Sequence, residues 1–441
     1  MIKLYDIFYN LLIAMSTNKI TPPYSCRISF LLGSVIYNSN QYFDTNFQLV
    51  DNFPKSNILI DIKNKEEYIV SISIYTLNLI NNTYLKNDIL KKYIDENNQY
   101  ILNNDIMSQI KILIDEYLDY RFNDGWNVVF DNSNLYNKEI RIKLNEIQNI
   151  NSFPYPLKWT PIDGQNAVGG TFGNIISPIL INPNIFNYSI NYYNNINIES
   201  EVQYLFNKSL ILTQTEKSIA EIFNGYIINP PMMWLLFMIH LYRNKETYSL
   251  DENIYGFFLL TISLFTVSIV AWNVKYNICE ARPIQLIRTI NNIPINYYYG
   301  STVSDLWLSY LKTPPFPDIM SGHSTFSSNM SFLFNKLFGK NIDDKLIIDK
   351  DIAILISPIF KYSNEKYIDF SKILLPKDTI LLDNSLLTED ITLEYKTWCD
   401  MAYGISLSRF YGGIHYYSSN QLGIIVGKLI NENICEIIKP F

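Results

Sequence analysis

The sequence predicts an all-α protein with its functional site in the C-terminal half. Three observations predict this. Apolar residues recur at three- and four-residue spacing through most of the 441 residues, the spacing that gives a helix one buried face. With 48% hydrophobic and only 17% charged residues, the chain is rich enough in apolar side chains to fill one large core or two. The segments of the C-terminal half that concentrate cations and histidine also lie where predicted helices begin or end. The expected division is an N-terminal bundle with a loop-rich connection over 1–205 and a C-terminal bundle over 206–441, interrupted by an insertion at about 341–390.

The elements follow in order. Residues 4–15, 24–41, 66–95, 97–121 and 135–149 carry helical periodicity, separated by Asn, Pro or Gly. A loop-rich centre follows, with Pro154, Pro156, Pro161, Gly164, Gly169, Gly170, Gly173 and Pro178, and the Asn/Tyr-rich stretch from Asn182 to Asn197 reads as a surface connection. Thr213 or Thr215 caps a helix through Phe223, and Pro230-Pro231 opens the next, through Leu241. Residues 252–281 form a long apolar helix that is expected to stop at Arg282-Pro283. Its most apolar stretch, Phe257 to Trp272, has 16 residues and includes Thr261, Ser263, Thr266 and Ser268. That is short for a membrane span and suits a helix buried among others. Ser321 to Leu337 is the next helix, ending at Phe338-Gly339. The charged, irregular insertion follows it, and the last two helices are expected at about 392–409 and 419–438.

Composition excludes several classes. A net charge of −7 leaves no basic stripe for nucleic acid, so any positive site must be local. Cys26, Cys279, Cys399 and Cys435 form no CxxC pair, which argues against a zinc site or disulfide framework and for buried thiols in a reduced compartment. Asp6 and Asn10 break any signal-like run at the N-terminus, so a cytoplasmic or otherwise intracellular location without membrane insertion is expected. Oligomeric state stays open, a homo-oligomer included.

Only three histidines occur, and two of them stand in segments that read as parts of one anion site. Lys275 and Arg282 are two helical turns apart and are expected on nearly the same helix face, with Pro283 leaving Arg282 at the C-terminal rim. Ser321-Gly322-His323 follows the proline-rich run Thr313-Pro314-Pro315-Phe316-Pro317 and opens an apolar helix. Ser321 is a natural N-cap, the free N–H groups of a first turn attract anions, and Gly322 lets an oxyanion approach the backbone. His323 on that turn can exchange protons with a bound oxygen. Arg409 ends the penultimate helix with a planar fork for two oxygens, and Gly412-Gly413 turn the chain so that His415 faces back towards it. Three fixed positive charges, a hydroxyl and two imidazoles suit a tetrahedral oxyanion such as phosphate or vanadate. His240, within an apolar helix, reads as a satisfied core residue.

These segments resemble the signature of the superfamily of vanadium-dependent haloperoxidases and type 2 phosphatidic acid phosphatases: Lys-x6-Arg-Pro, Pro-Ser-Gly-His and Ser-Arg-x5-His-x3-Asp. The first is complete at Lys275 to Pro283, the second has Met320 in place of proline, and the third matches at Ser408, Arg409 and His415 but has Ser419 in place of aspartate. Ala271-Trp272-Asn273-Val274-Lys275-Tyr276, Thr313 to Pro317, Tyr411 to His415, Pro22-Pro23 with Arg27, and Gln214 to Phe223 followed by Pro230-Pro231 are similar to the soluble bacterial haloperoxidase-like branch.

The resemblance implies a haloperoxidase/acid-phosphatase fold of two helical bundles and a vanadate cofactor, whose site phosphate can also occupy. His415 would be the metal's imidazole ligand; Lys275, Arg282, Arg409, Ser321 and Gly322 would hold the oxygens; His323, Lys275 and His415 would be the catalytic residues. Trp272 and Phe316 fall where aromatic residues stand beside the halide. The partners implied are hydrogen peroxide, halide and a small organic acceptor. The same cradle can serve a soluble acid phosphatase working through a phospho-histidine, or a non-catalytic oxyanion-binding protein altered at Met320 and Ser419. Ser419 favours the peroxidase by removing the carboxylate that would orient His415, and leaves Ser418 and Asn420 as candidate acceptors for its second N–H.

Overall fold

The computed structural model describes residues 2–44, 46–126, 158–162, 165, 167–170, 175–245, 247–289, 307–342 and 346–438. The helix expected at 135–149, together with Pro154, Pro156, Gly164 and Gly173, lies outside them. The described helices are α1 (Leu4–Thr17), α2 (Pro22–Asn38), α3 (Lys65–Ile80), α4 (Asp88–Asn97), α5 (Asp105–Phe122), α6 (Asn184–Asn194), α7 (Ile198–Ser209) and α8 (Gln214–Ile222). They continue as α9 (Pro230–Asn244), α10 (Leu250–Ile278), α11 (Pro283–Thr289), α12 (Gly322–Phe338), α13 (Lys350–Ile356), α14 (Trp398–Tyr411) and α15 (Tyr417–Ile437). Sheet among the described residues is confined to two antiparallel pairs, β1 (Ile347–Asp349) with β2 (Tyr367–Asp369) and β3 (Lys372–Leu375) with β4 (Ile391–Glu394). The fold is all-α, as the periodicity predicts.

Helix α10 is the axis of the molecule. It is long and apolar enough to cross a membrane, yet its most apolar window is wholly buried by its neighbours. Phe257, Phe258 and Phe265 of α10 stack on Phe8 of α1, Tyr37 and Phe30 of α2 at centroid separations of 4.3, 3.8 and 4.8 Å. Each such ring, fully buried, contributes about 1.5–3 kcal/mol by leaving water. On its other side α10 packs against α12, which is clasped between α14 and α15.

Several boundaries differ from expectation for local reasons. The helix expected over 66–95 is two, because Asn81 uses its side-chain amide on both the N–H and the carbonyl of Asn87, and Lys86 turns left-handed at φ 49° between them. Asn104, whose side chain accepts from Met107 N–H, delays the helix expected at 97 to Asp105. Asn182 to Asn197 is no surface connection: it contains α6, which buries Ile185 and Ser189 one turn apart, and Asn197 then caps α7. The helix expected from 392 starts at Trp398 behind a Thr397–Asp400 capping box, residues 392–394 having paired into β4. Thr213, of the two candidates, caps α8, through a capping box with Glu216.

The change that matters most is at the end of α10. The helix stops at Ile278, with Cys279 left-handed at φ 58° and its N–H on the Lys275 carbonyl at 2.7 Å. Lys158 Nζ takes the Ile278 carbonyl at 2.7 Å, Trp159 N–H takes that of Cys279 at 2.8 Å, and Asp318 N–H takes that of Glu280 at 3.0 Å. Residues 279–282 are thus drawn out as an extended segment pinned by these loops. Pro283 opens α11 rather than closing α10. Arg282 is therefore not on the helix rim, and it shares no helix face with Lys275.

Candidate active site

Four segments converge around the first turn of α12. Lys275 comes from the last turn of α10, Arg282 from the extended segment, Ser321 to His323 from the start of α12, and Arg409 and His415 from the end of α14 and the turn after it. Ser321 is the N-cap, accepting from Ser324 N–H at 3.4 Å and from Ser324 Oγ at 3.0 Å. Gly413 makes the turn to His415 at φ 69°, where a side chain would strain the backbone.

All three cations are buried, and their hydrogen bonds aim them. Lys275 Nζ donates to the carbonyls of Pro317 (3.0 Å) and Asp318 (2.8 Å), leaving one of its three donors for a ligand. Arg282 Nε donates to the Phe316 carbonyl at 2.7 Å and Nη1 to that of Ile414 at 2.6 Å. Arg409 Nη2 donates to the Phe223 carbonyl at 2.8 Å, just past the end of α8. Burial, then mutual repulsion, lowers Lys275 well below its ordinary value. Burial pushes Arg282 down to about 10, and burial followed by repulsion from Arg282 pushes Arg409 down to about 9. Three like charges held this closely out of water call for an anion.

The histidines face the same space. The His323 ring is hydrogen-bonded to the Phe223 carbonyl, while its Nε2 is shielded from solvent without a partner among the described residues. Burial and then Arg409 hold it well below the usual imidazole value, so it is neutral. His415 is lowered too, by burial and then by Arg282. Arg282 Nη1, which only donates, stands 3.1 Å from His415 Nε2 and 3.4 Å from Nδ1, while Nδ1 also meets Asp318 Oδ1 at 3.0 Å and Ser419 Oγ at 3.2 Å. The tautomer protonated at Nδ1 suits both sides.

Trp272 and Phe316, with ring centroids 5.2 Å apart, stand over Lys275 Nζ at 6.0 and 5.0 Å. Trp272 also lies 3.8 Å from where a Cβ on Gly322 would stand. His240 is half-buried and satisfied, its Nε2 accepting from Asn244 Nδ2 at 2.8 Å and Ile347 N–H at 3.3 Å.

Every residue expected at the site is brought there. What sequence reasoning missed is Asp318, which is fully buried between Arg282 (3.4 Å) and His415, and Glu280, whose carboxyl lies within hydrogen-bonding reach of Asp318. Glu280 and Arg282 alternate along an extended segment, so both face Asp318. Burial raises Glu280 well above the usual range and pushes Asp318 up to about 6. With Arg282 beside it, Asp318 is the member that ionises first. The expected substitutes are elsewhere: Ser418 N–H bonds Glu201 at 2.9 Å, and Asn420 Nδ2 bonds the Ser406 carbonyl at 2.8 Å. Asp318 stands five residues before His323, between Pro317 and Ile319-Met320, a carboxylate in an otherwise apolar run and the one signal the sequence offered.

The donor set fits a tetrahedral oxyanion. Arg282 Nη2 and His323 Nε2 are both buried without partners among the described residues, and both belong to the cluster of cations and imidazoles around the α12 N-terminus. A helical-bundle protein with a cationic oxyanion cradle is the class that fold and site define. Residues 256–440 match the family described as VCPO second helical-bundle domain. A bacterial vanadium-dependent iodoperoxidase has a similar fold, with TM-score 0.63 and 15% identity over 98% of this chain and 95% of that one. A bacterial vanadium-dependent chloroperoxidase is similar in its holo form, with TM-score 0.64 and 14% identity over 95% and 94% of the two chains. Its apo form has TM-score 0.65 and 14% identity over 93% and 92%. No curated protein matches the chain in sequence. Residues 256–440 thus match that domain family, and the chain as a whole has the fold of the bacterial vanadium-dependent peroxidases.

Proposed function

We propose that the protein is a vanadate-dependent haloperoxidase, oxidising halide with hydrogen peroxide and a proton to hypohalous acid and water. One observation carries this reading: three buried cations and two neutral imidazoles converge on the α12 N-terminus with Arg282 Nη2 and His323 Nε2 unpartnered among the described residues. The fold shared with proteins named as iodo- and chloroperoxidases supports it, as does the Trp272–Phe316 pair beside Lys275, an apolar wall suited to a weakly hydrated halide.

Lys275, Arg282, Arg409, Ser321 and the Gly322 N–H would hold vanadate's oxygens, and His415 would be its protein ligand through Nε2. When bound, vanadate supplies a Lewis-acidic centre that takes up peroxide and polarises its O–O bond. His323 Nε2, neutral and unpartnered, accepts the proton that peroxide gives up on binding. The free N–H of Lys275 supports the developing negative charge, and the aromatic wall keeps bulk water from the halide's path.

The Asp318–His415 pair favours a second reading, a soluble phosphatase. A carboxylate orienting a neutral imidazole is what a phospho-histidine nucleophile needs, with His323 as acid for the leaving alcohol. The loss of aspartate at 419 therefore does not discriminate, because a carboxylate reaches His415 from 318. The two readings separate in paired assays: bromination of a reporter dione with vanadate, bromide and peroxide, and hydrolysis of an aryl phosphate without vanadate. The peroxidase reading expects the first, lost in His323→Ala while vanadate still binds, and lost together with vanadate binding in His415→Ala. Hydrolysis that vanadate inhibits, with no bromination, would establish the phosphatase.

A further inference from the structure

We infer that Asp318 is the positioning residue for His415, having taken over from outside the His-x3-Asp segment the role that position 419 no longer serves. The inference rests on the oxyanion site proposed above but concerns the imidazole alone.

The geometry carries it. His415 Nδ1 lies 3.0 Å from Asp318 Oδ1 and 3.2 Å from Ser419 Oγ. The hydroxyl of Ser419 is itself directed at the Asp318 carbonyl at 3.4 Å, so position 419 still contributes a hydrogen bond but no charge. Asp318 is anchored independently of His415. Its N–H is on the Glu280 carbonyl at 3.0 Å, its carbonyl is held by Lys275 Nζ at 2.8 Å, and its carboxylate lies 3.4 Å from Arg282 Nη1. The Glu280 carboxyl packs against the same carboxylate, and Oδ2 of Asp318 finds no other partner among the described residues.

A charged acceptor fixed at Nδ1 does two things a hydroxyl cannot. It holds the proton on Nδ1, since a carboxylate only accepts, and leaves Nε2 bare towards Arg282 and any oxyanion held there. It also makes Nε2 a stronger donor of electron density, as outer partners of ligating histidines do. Ser419 alone accommodates either tautomer, because a hydroxyl both donates and accepts. The Glu280 carboxyl, when protonated, is placed to donate to Asp318, so that Oδ1 of the carboxylate faces the imidazole and Arg282 Nη1.

The test exploits the small number of histidines. In the ligand-free protein, nitrogen-15 shifts of the three imidazoles, assigned by losing each signal in turn in His240→Gln, His323→Gln and His415→Gln, report the tautomer directly. His415 should carry its proton on Nδ1. In Asp318→Asn, the carboxamide accepts from Glu280 and turns its amide towards Nδ1, so His415 should switch to the Nε2–H form. Affinity for vanadate and for phosphate, read by calorimetry, should fall by about tenfold to a hundredfold. Adding Ser419→Asp to Asp318→Asn should bring back both the Nδ1–H tautomer and most of the affinity, a rescue that a merely structural role for Asp318 would not produce. An Nε2–H tautomer in the unaltered protein overturns the inference whether or not the variants fold, and so does a loss in Asp318→Asn that Ser419→Asp fails to restore. An Nδ1–H tautomer with no binding of either oxyanion would leave the Asp318 role standing and sink the proposed function instead.

Discussion

His323 is only partly buried, but its Nε2 is shielded from water and its ring stands beside Arg409, which makes it hard to charge. That places a measurable signature on stability. In the unfolded chain this ring takes a proton near pH 6.5, whereas in the fold it stays neutral to a much lower pH. The unfolded state then binds more protons below about pH 6.5, so folding stability rises with pH in that window and is lost as pH falls through it. Thermal midpoints should drop between about pH 7.5 and 5.5, and drop less in His323→Gln. The raised carboxyls of Glu280 and Asp318 act with the opposite sign, Glu280 across the same window, but they are present in both proteins and cancel in the difference. Equal slopes in the two proteins would mean that the fold does not hold His323 neutral. At this scale the sequence was legible wherever a residue's chemistry is its own: Lys275, Arg282, His323, Arg409 and His415 were nameable from type and spacing. Asp318 was not, because its role depends on a partner 97 positions away in the chain.

Among the elements, α12 and α15 decide how well the cradle is aimed. Gly423 and Gly427 lie one turn apart on α15 and face α12. A Cβ at 423 would stand 2.9 Å from the Ser321 carbonyl and 2.8 Å from Ser324 Cβ, and one at 427 would stand 2.9 Å from Asn329 N while colliding with the Thr325 carbonyl. The two helix backbones are nearly in contact, and the contact lies directly beneath the first turn of α12. Gly427→Ala should cost about 1–3 kcal/mol in denaturant unfolding, the usual penalty of overpacking. Gly423→Ala should in addition weaken phosphate and vanadate binding, since the atom it displaces belongs to Ser321. Unaltered oxyanion affinity in a destabilised Gly423→Ala would show that this approach does not set the position of the turn. Caps such as Thr213 and Ser321 were legible because capping is local. Helix α6 was not: its Asn/Tyr composition looks like loop, and only burial of Ile185 and Ser189 against neighbouring helices makes it pay to coil.

At the scale of the whole molecule, one apolar cluster runs from Leu4 of α1 to Ile438 beyond α15, through α10. A side chain at Gly33 on α2 would collide with the Thr261 side chain of α10, so the α2 backbone lies directly against a side chain of the axis. A continuous core of this kind should unfold in one cooperative step, with calorimetric and van't Hoff enthalpies equal. Saturating vanadate should raise that single transition by mass action, and Gly33→Ala should lower it as a whole. Two transitions, only one of them moved by vanadate, would mean that α1–α5 fold apart from the site.

The sequence by itself determined the helical class, local caps such as Thr213 and Ser321, and the set of cations, hydroxyl and imidazoles that meet in the candidate site. These depend on side-chain period and residue chemistry, which are properties of short stretches. Only the tertiary structure decided how those residues meet. Lys275 and Arg282 have the spacing of one helix face, yet they converge because α10 stops early at Cys279, its last carbonyls claimed by Lys158 and Trp159 from more than a hundred residues upstream. The same extended segment turns Glu280 and Arg282 towards Asp318, and Asp318 towards His415. A hydrogen bond between distant segments leaves no period in either of them, and for that reason the carboxylate that orients His415 became visible only in the fold.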